Sequence, residues 1–124
     1  MITLCGPLGS GKSELARALI QTRAGAVIEV PSPSFTLVQD YPLGDLVLRH
    51  IDLYRLAGPA ELPELGLDAP EAHEVWLVEW PERGGENFPC DLQITLEQGA
   101  SADARLAHLE AGPRWRDRLD VLHA

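Results

Sequence analysis

A chain of 124 residues, 45% hydrophobic and 23% charged, has the size and mix of a single folded domain and excludes disordered, collagen-like and coiled-coil classes. Ten basic residues against 19 acidic ones give a formal net charge of -9, which opposes general attraction to a phosphate backbone, so direct tight nucleic-acid binding is not expected. No stretch reaches the ~18 apolar residues of a membrane span, and Met1-Ile-Thr-Leu-Cys5 runs into Gly6-Pro7 without a basic or cleavable leader, so the expected location is cytoplasmic.

In chain order, residues 1–5 are short and apolar and stop at glycine, as a buried parallel strand does. Gly6 to Ser13 is loop, and Leu15, Ala16, Leu19 and Ile20 recur at helical spacing, predicting a helix over 12–23 that Gly25 ends. Residues 26–30 read as a second strand, followed by a proline-rich connection, Pro31-Ser32-Pro33-Ser34. The runs 35–41 and 46–54 pair as a hairpin around Pro42-Leu43-Gly44-Asp45. Residues 59–66 suit a short helix. The near-continuous apolar run 75–80, halted by Pro81, has the signature of a central strand. Residues 91–97 and 104–110 alternate as strands, and 113–122 forms a terminal helix with proline near its start. No repeat or linker divides the chain, so 1–124 is expected to be one α/β domain with a mixed sheet. Cys5 and Cys90 lack metal spacing and read as two small buried hydrophobes. Between residues 61 and 86 eight carboxylates face a single cation, Arg83, which makes either a solvated face or a docking surface for a basic partner.

The chemistry is concentrated in Gly6-Pro7-Leu8-Gly9-Ser10-Gly11-Lys12-Ser13, which fits G-x-x-x-x-G-K-[ST]. Average residue frequencies give a chance match of roughly 0.4% in a chain this short, and the match lies between a predicted strand and a predicted helix, as it must. Glycines at 6, 9 and 11 let the backbone fold around phosphate oxygens, with N–H groups and the helix's positive end as fixed donors. Lys12, the sole lysine beside nine arginines, is placed to reach the β- and γ-phosphates, and the Ser13 hydroxyl to ligate magnesium. Leu8 to Ser13, with Glu14, are the expected nucleotide-binding segment; Glu14 either points outward or weakens anion binding. Magnesium needs a second anchor at a neighbouring strand end. Glu79 has that position after Val75-Trp76-Leu77-Val78. Asp52, in His50-Ile51-Asp52-Leu53-Tyr54-Arg55, is either a second acid at a strand end or a surface carboxylate. Trp80 either stacks on a base or caps the sheet. Ser34 sits where P-loop enzymes often carry a hydroxyl that senses the γ-phosphate. The four histidines show no ligand spacing and read as solvated or structural. A guanine-selective N-K-x-D motif would need a second lysine. A small-molecule kinase and a nucleotide-sensing regulator without hydrolysis stay open on the loop alone.

The loop, Pro31-Ser-Pro-Ser-Phe-Thr-Leu-Val-Gln-Asp-Tyr41, His50-Ile-Asp-Leu-Tyr-Arg-Leu56, Glu61-Leu62 with Leu65-Gly-Leu67, and Val78-Glu-Trp-Pro-Glu82 together resemble, in this order, the blocks of the TsaE family, bacterial ATPases of tRNA threonylcarbamoyladenosine biosynthesis. The resemblance spans residues 1 to about 97. It implies a P-loop NTPase-like three-layer fold with a mixed, mostly parallel sheet, ATP and Mg2+ as ligands, and hydrolysis that supports the TsaB and TsaD proteins. It implies Lys12 as the phosphate lysine, Ser13 and Glu79 as the metal-side pair, Asp52 as a further functional acid, Ser34 as a switch-like hydroxyl and Trp80 as an aromatic beside the nucleotide. Family members carry a helix and a strand before the loop, whereas this sequence starts at the loop strand. Pro7 replaces a usual Asp, Ser34 a usual Thr, and Glu14 a usual second hydroxyl. Weak ATP affinity in the isolated chain is the expected consequence.

Overall fold

A computed structural model describes residues 1–25, 28–31, 33, 36–85 and 90–120 of the chain. Strands β1 (Ile2–Cys5), β2 (Val38–Leu43), β3 (Leu46–Asp52), β4 (Glu74–Glu79), β5 (Leu92–Gln98) and β6 (Arg105–Ala111) form one six-stranded sheet in the order β2-β3-β4-β1-β5-β6. The four inner strands run parallel, while β2 and β6 pair antiparallel at the two edges. Helices α1 (Lys12–Ala24) and α2 (Pro113–Asp120) complete the α/β fold.

Period-two alternation assigns the strand residues to two cores. On one face Leu4, Leu48, Leu77 and Ile94 meet Ala16 and Ile20 of α1, with Trp115 and Leu119 of α2 packed alongside. On the other face Ile51, Trp76 and Val78 meet Leu53, Leu56 and Leu67. Central β4 is therefore buried on both sides, which is why it reads as an unbroken apolar run. Each fully buried aliphatic side chain here contributes about 1.5 to 3 kcal/mol. In α1 the buried positions are Lys12, Ala16 and Ile20, four apart, while Leu19 is exposed. Gly25 closes the helix at φ 71°, its N–H donating to the Gln21 and Thr22 carbonyls.

Several sequence expectations change. Residues 28–30 are not a strand: the Ile28 and Val30 carbonyls accept from the Gln21 and Arg17 side chains of α1 instead of from a sheet neighbour. Residues 26 and 27 lie outside the described residues. The helix expected at 59–66 is two 3-10 turns, Pro59–Glu61 and Pro63–Leu65, because Pro63 has no N–H to continue an α-helical ladder. These turns bring Leu62, Leu65 and Leu67 onto the second face and form a thin third layer. Strand β3 stops at Asp52, and Tyr54 is 42% exposed. The hairpin turns tightly at Gly44-Asp45, with Gly44 at φ 71° in the first central position, where a two-residue turn favours glycine. Cys5 is half-buried, and desolvation, reinforced by Glu82 and Cys90, pushes its thiol up to about 11. Cys90 is exposed rather than core, its sulfur 3.0 Å from Thr3 Oγ1. Among the described residues no helix is long and apolar enough to cross a membrane.

Candidate functional site

Parallel register brings the site together. Asp52 pairs with Glu79 across β3 and β4, and Glu79 with Leu4 across β4 and β1, so the carboxyl ends of three strands finish level with the loop that leaves β1. In open α/β sheets this edge is where ligands bind. The loop carries Gly6, Gly9 and Gly11 at φ 141°, 78° and 103°, conformations that L side chains resist. A Cβ on Gly6 would lie 2.5 Å from the Leu96 carbonyl oxygen and 2.7 Å from Ser10 Oγ, whereas one on Gly9 would meet nothing within 4 Å. Gly6→Ala should therefore cost about 2 to 4 kcal/mol through overpacking and backbone strain together, and Gly9→Ala distinctly less; urea unfolding of both variants checks the difference.

Lys12 is 5% exposed, and its ammonium donates to the carbonyls of Gly6 (2.5 Å) and Pro7 (2.9 Å). Its Nζ also lies 4.1 Å from the centroid of the Trp80 ring, within cation–π range. Burial pulls the Lys12 pKa below its ordinary value, against the opposing charges of Glu79, Glu82, Cys5 and Asp52. Trp80 reaches this place because its backbone is left-handed, φ 58° and ψ 50°, which costs a large side chain on the order of 1 to 3 kcal/mol. The ring leans against Tyr54 at 4.9 Å, and the Arg83 guanidinium sits 5.4 Å over Tyr54.

Ser13 Oγ donates to Glu79 Oε1 at 2.9 Å. The other oxygen, Oε2, accepts from His50 Nε2 at 2.6 Å, and both partners are buried at 1% exposure. With Glu79 as a carboxylate, which only accepts, the donor in this contact is Nε2–H. Asp52, 4% exposed, accepts the Tyr54 backbone N–H at 3.0 Å.

Leu8 to Glu14, Asp52, Tyr54, Glu79 and Trp80 line one cleft of about 270 Å³. Every candidate from the sequence except Ser34 is thus gathered in one place; Ser34 lies outside the described residues. Glu14 is exposed at the rim. A second cleft of about 470 Å³ opens on the opposite flank of the loop, between Gly9, Ser10, Gly11, Glu14 and Leu15 on one side and Leu96, Ala102, Asp103 and Arg105 on the other. Arg105 donates to the Ser10 carbonyl at 3.2 Å and ties that turn to the loop. Sequence reading missed His50, Tyr54 and the 102–105 turn. Alternation along β3 puts His50 on the face of Asp52, but only the β3–β4 register sets it against Glu79.

Comparisons with known proteins place the chain in a family. Residues 1–106 match the family described as Threonylcarbamoyl adenosine biosynthesis protein TsaE. The chain is 37% identical to the tRNA threonylcarbamoyladenosine biosynthesis protein TsaE of Haemophilus influenzae, over 78% of this chain and 62% of that one. It is 37% identical to the protein of that name from Rickettsia felis, covering 98% of this chain and 78% of the relative, and 32% identical to that from Bacillus subtilis, covering 93% and 72%. The chain thus spans less than two thirds of the Haemophilus protein. Among solved structures, the crystal structure of YdiB from Bacillus subtilis superposes with a TM-score of 0.69 at 28% identity, over 98% of this chain and 75% of that one. Matched by the family's model over residues 1–106 and 37% identical to a family member across 98% of its length, the chain belongs to the TsaE family.

Proposed function

We propose that this chain binds ATP with magnesium, hydrolyses it, and does so in support of the TsaB and TsaD proteins as they modify tRNA with threonylcarbamoyladenosine. The observation that carries the reading is the Ser13 hydroxyl held 2.9 Å from Glu79 Oε1 at the mouth of a glycine loop whose lysine is buried beside it. Hard oxygen donors from one hydroxyl and one carboxylate suit magnesium, which keeps water and phosphate oxygens for its remaining positions. Bound there, the ion would neutralise charge on the β- and γ-phosphate oxygens.

The protein's own residues do the rest. The loop N–H groups and the start of α1 hold phosphate oxygens. Lys12 leaves the Gly6 and Pro7 carbonyls to meet the terminal phosphates, a short move because its ammonium already faces the cleft that Ser13 and Glu79 line. Asp52 brings the second carboxylate to the same edge, where an acceptor for a proton of the attacking water belongs. Trp80 flanks the phosphate end and limits water there, and the second cleft beside Leu96 and Arg105 offers room for base and ribose.

Lys12 is the one cation among the described residues lining the first cleft. Transition-state charge on a transferred phosphoryl group usually draws on a further cation, worth about 10³ to 10⁵ in rate when supplied in trans. Phosphate release from the chain alone should be slow, and adding TsaB with TsaD should raise turnover or nucleotide affinity at least severalfold. Glu64, Asp68, Glu71 and Glu82 are exposed, so high salt should shrink the effect if this acidic surface docks the partners. Rapid turnover by the chain alone, unchanged by the partners, would overturn the partner-completed site. Phosphate appearing on an added small molecule in place of release to water would favour a kinase.

A further inference from the structure

We propose that His50 is a positioning residue for Glu79: its ring holds Oε2, so that Oε1 alone is presented to Ser13 and to a divalent cation. The inference rests on the magnesium reading of the site and adds to it a residue that touches neither phosphate nor metal. Its basis is a 2.6 Å contact between two groups that are each 1% exposed. His50 lies on β3 opposite Leu77, one same-face step before Glu79, so its ring reaches diagonally across two hydrogen-bonded strands. Leu46 and Leu48, on the same face of β3, pack into the apolar core. A polar ring at the next same-face position is desolvated at a cost that partners offset; Glu79 is the partner of Nε2, and Nδ1 is buried without one among the described residues.

The consequence for chemistry is asymmetry. An unrestrained glutamate turns about its terminal bond and offers either oxygen, or both, to a cation. With Oε2 occupied, Glu79 presents one oxygen at the Ser13 side, in the orientation that a small octahedral ion demands more strictly than a large one. Outer hydrogen-bond partners of this kind typically change metal affinity about 10- to 100-fold when removed.

Three substitutions separate this role from packing. In His50→Gln the amide nitrogen stands near the position of Nε2 and keeps the donor. In His50→Asn it stops near Nδ1 and falls short of Glu79. In His50→Leu the volume is kept and the donor lost. Each full-length variant is titrated with a fluorescent ADP analogue in chelator and in rising Mg2+, Mn2+ binding in the presence of ADP is followed by electron paramagnetic resonance, and thermal melts record folding. The expected result is metal-free ADP affinity within about twofold of the parent throughout, since loop donors carry it. The cation concentration for half-saturation should rise about tenfold or more in the Leu and Asn variants and stay within about threefold in Gln.

Unchanged cation requirement in folded Leu and Asn variants overturns the proposal. Equal loss in Gln and Leu also overturns it, because the donor would then be irrelevant. Should Leu not fold, the Gln and Asn pair decides on the same criterion. A parent protein that binds ADP but shows no Mg2+ dependence and no Mn2+ signal refutes the magnesium reading itself, and the proposal with it, an outcome distinct from failure in the variants alone.

Discussion

Lys12→Ala is expected to abolish nucleotide-dependent support of tRNA modification and to lower phosphate release by about 10²-fold or more, the usual cost of removing a charged group aimed at developing charge. The fold should survive. In the free protein the ammonium is buried against two loop carbonyls, and burial lowers its pKa below 10.5, so the charged form is a local burden on the folded state that alanine removes. A group whose folded pKa lies below its unfolded value releases its proton earlier when folded, and stability then rises with pH across the interval between the two. The burden is fully present at neutral pH and fades as pH climbs through that interval. Melting of the parent should therefore gain on that of Lys12→Ala from neutral to alkaline pH. Full modification activity in a folded variant would remove the loop from the mechanism; a parent whose melting loses ground to the variant, or stays parallel to it, as pH rises would overturn the account of the buried ammonium.

Glu79→Gln should reduce magnesium-dependent hydrolysis by about 10²-fold while changing metal-free nucleotide affinity by no more than about threefold. Lost charge is only part of the reason. The amide must choose which neighbour receives its oxygen, and the two are not equivalent. His50 Nε2 donates at 2.6 Å from a fully buried ring, whereas the Ser13 hydroxyl rotates and serves equally as acceptor. The amide oxygen is drawn to His50, and the NH₂ group is left at the Ser13 side, where a cation needs oxygen. Glu79→Asp keeps the charge but withdraws it by one methylene, and should fall between parent and Gln. Metal-dependent and metal-free binding, measured beside single-turnover phosphate release, distinguish these outcomes. Equal hydrolysis by Gln and parent would return Glu79 to an ordinary strand-end acid.

Much of this protein is written locally. The glycine spacing from Gly6 to Gly11, the lysine and serine that follow, and the apolar run ending in Glu79 are properties of contiguous residues, and they determined the loop, the helix behind it, the central strand and most of the site. Even the exceptions are partly local, since Pro63 forbids the helix that the leucines around it suggest. Tertiary structure decided what depends on partners distant in the chain. Residues 28–30 have the composition of a strand, but α1 side chains take their carbonyls. The left-handed backbone at Trp80, which goes with a ring set against Lys12, is a conformation that no propensity of a large side chain encodes. His50 looked like a structural histidine because nothing in the sequence states that β3 lies beside β4 in a register that lets it reach Glu79. Local pattern determines which way a side chain points along its own strand, whereas strand order and register determine what it meets, and these follow from the burial of both faces of the whole sheet.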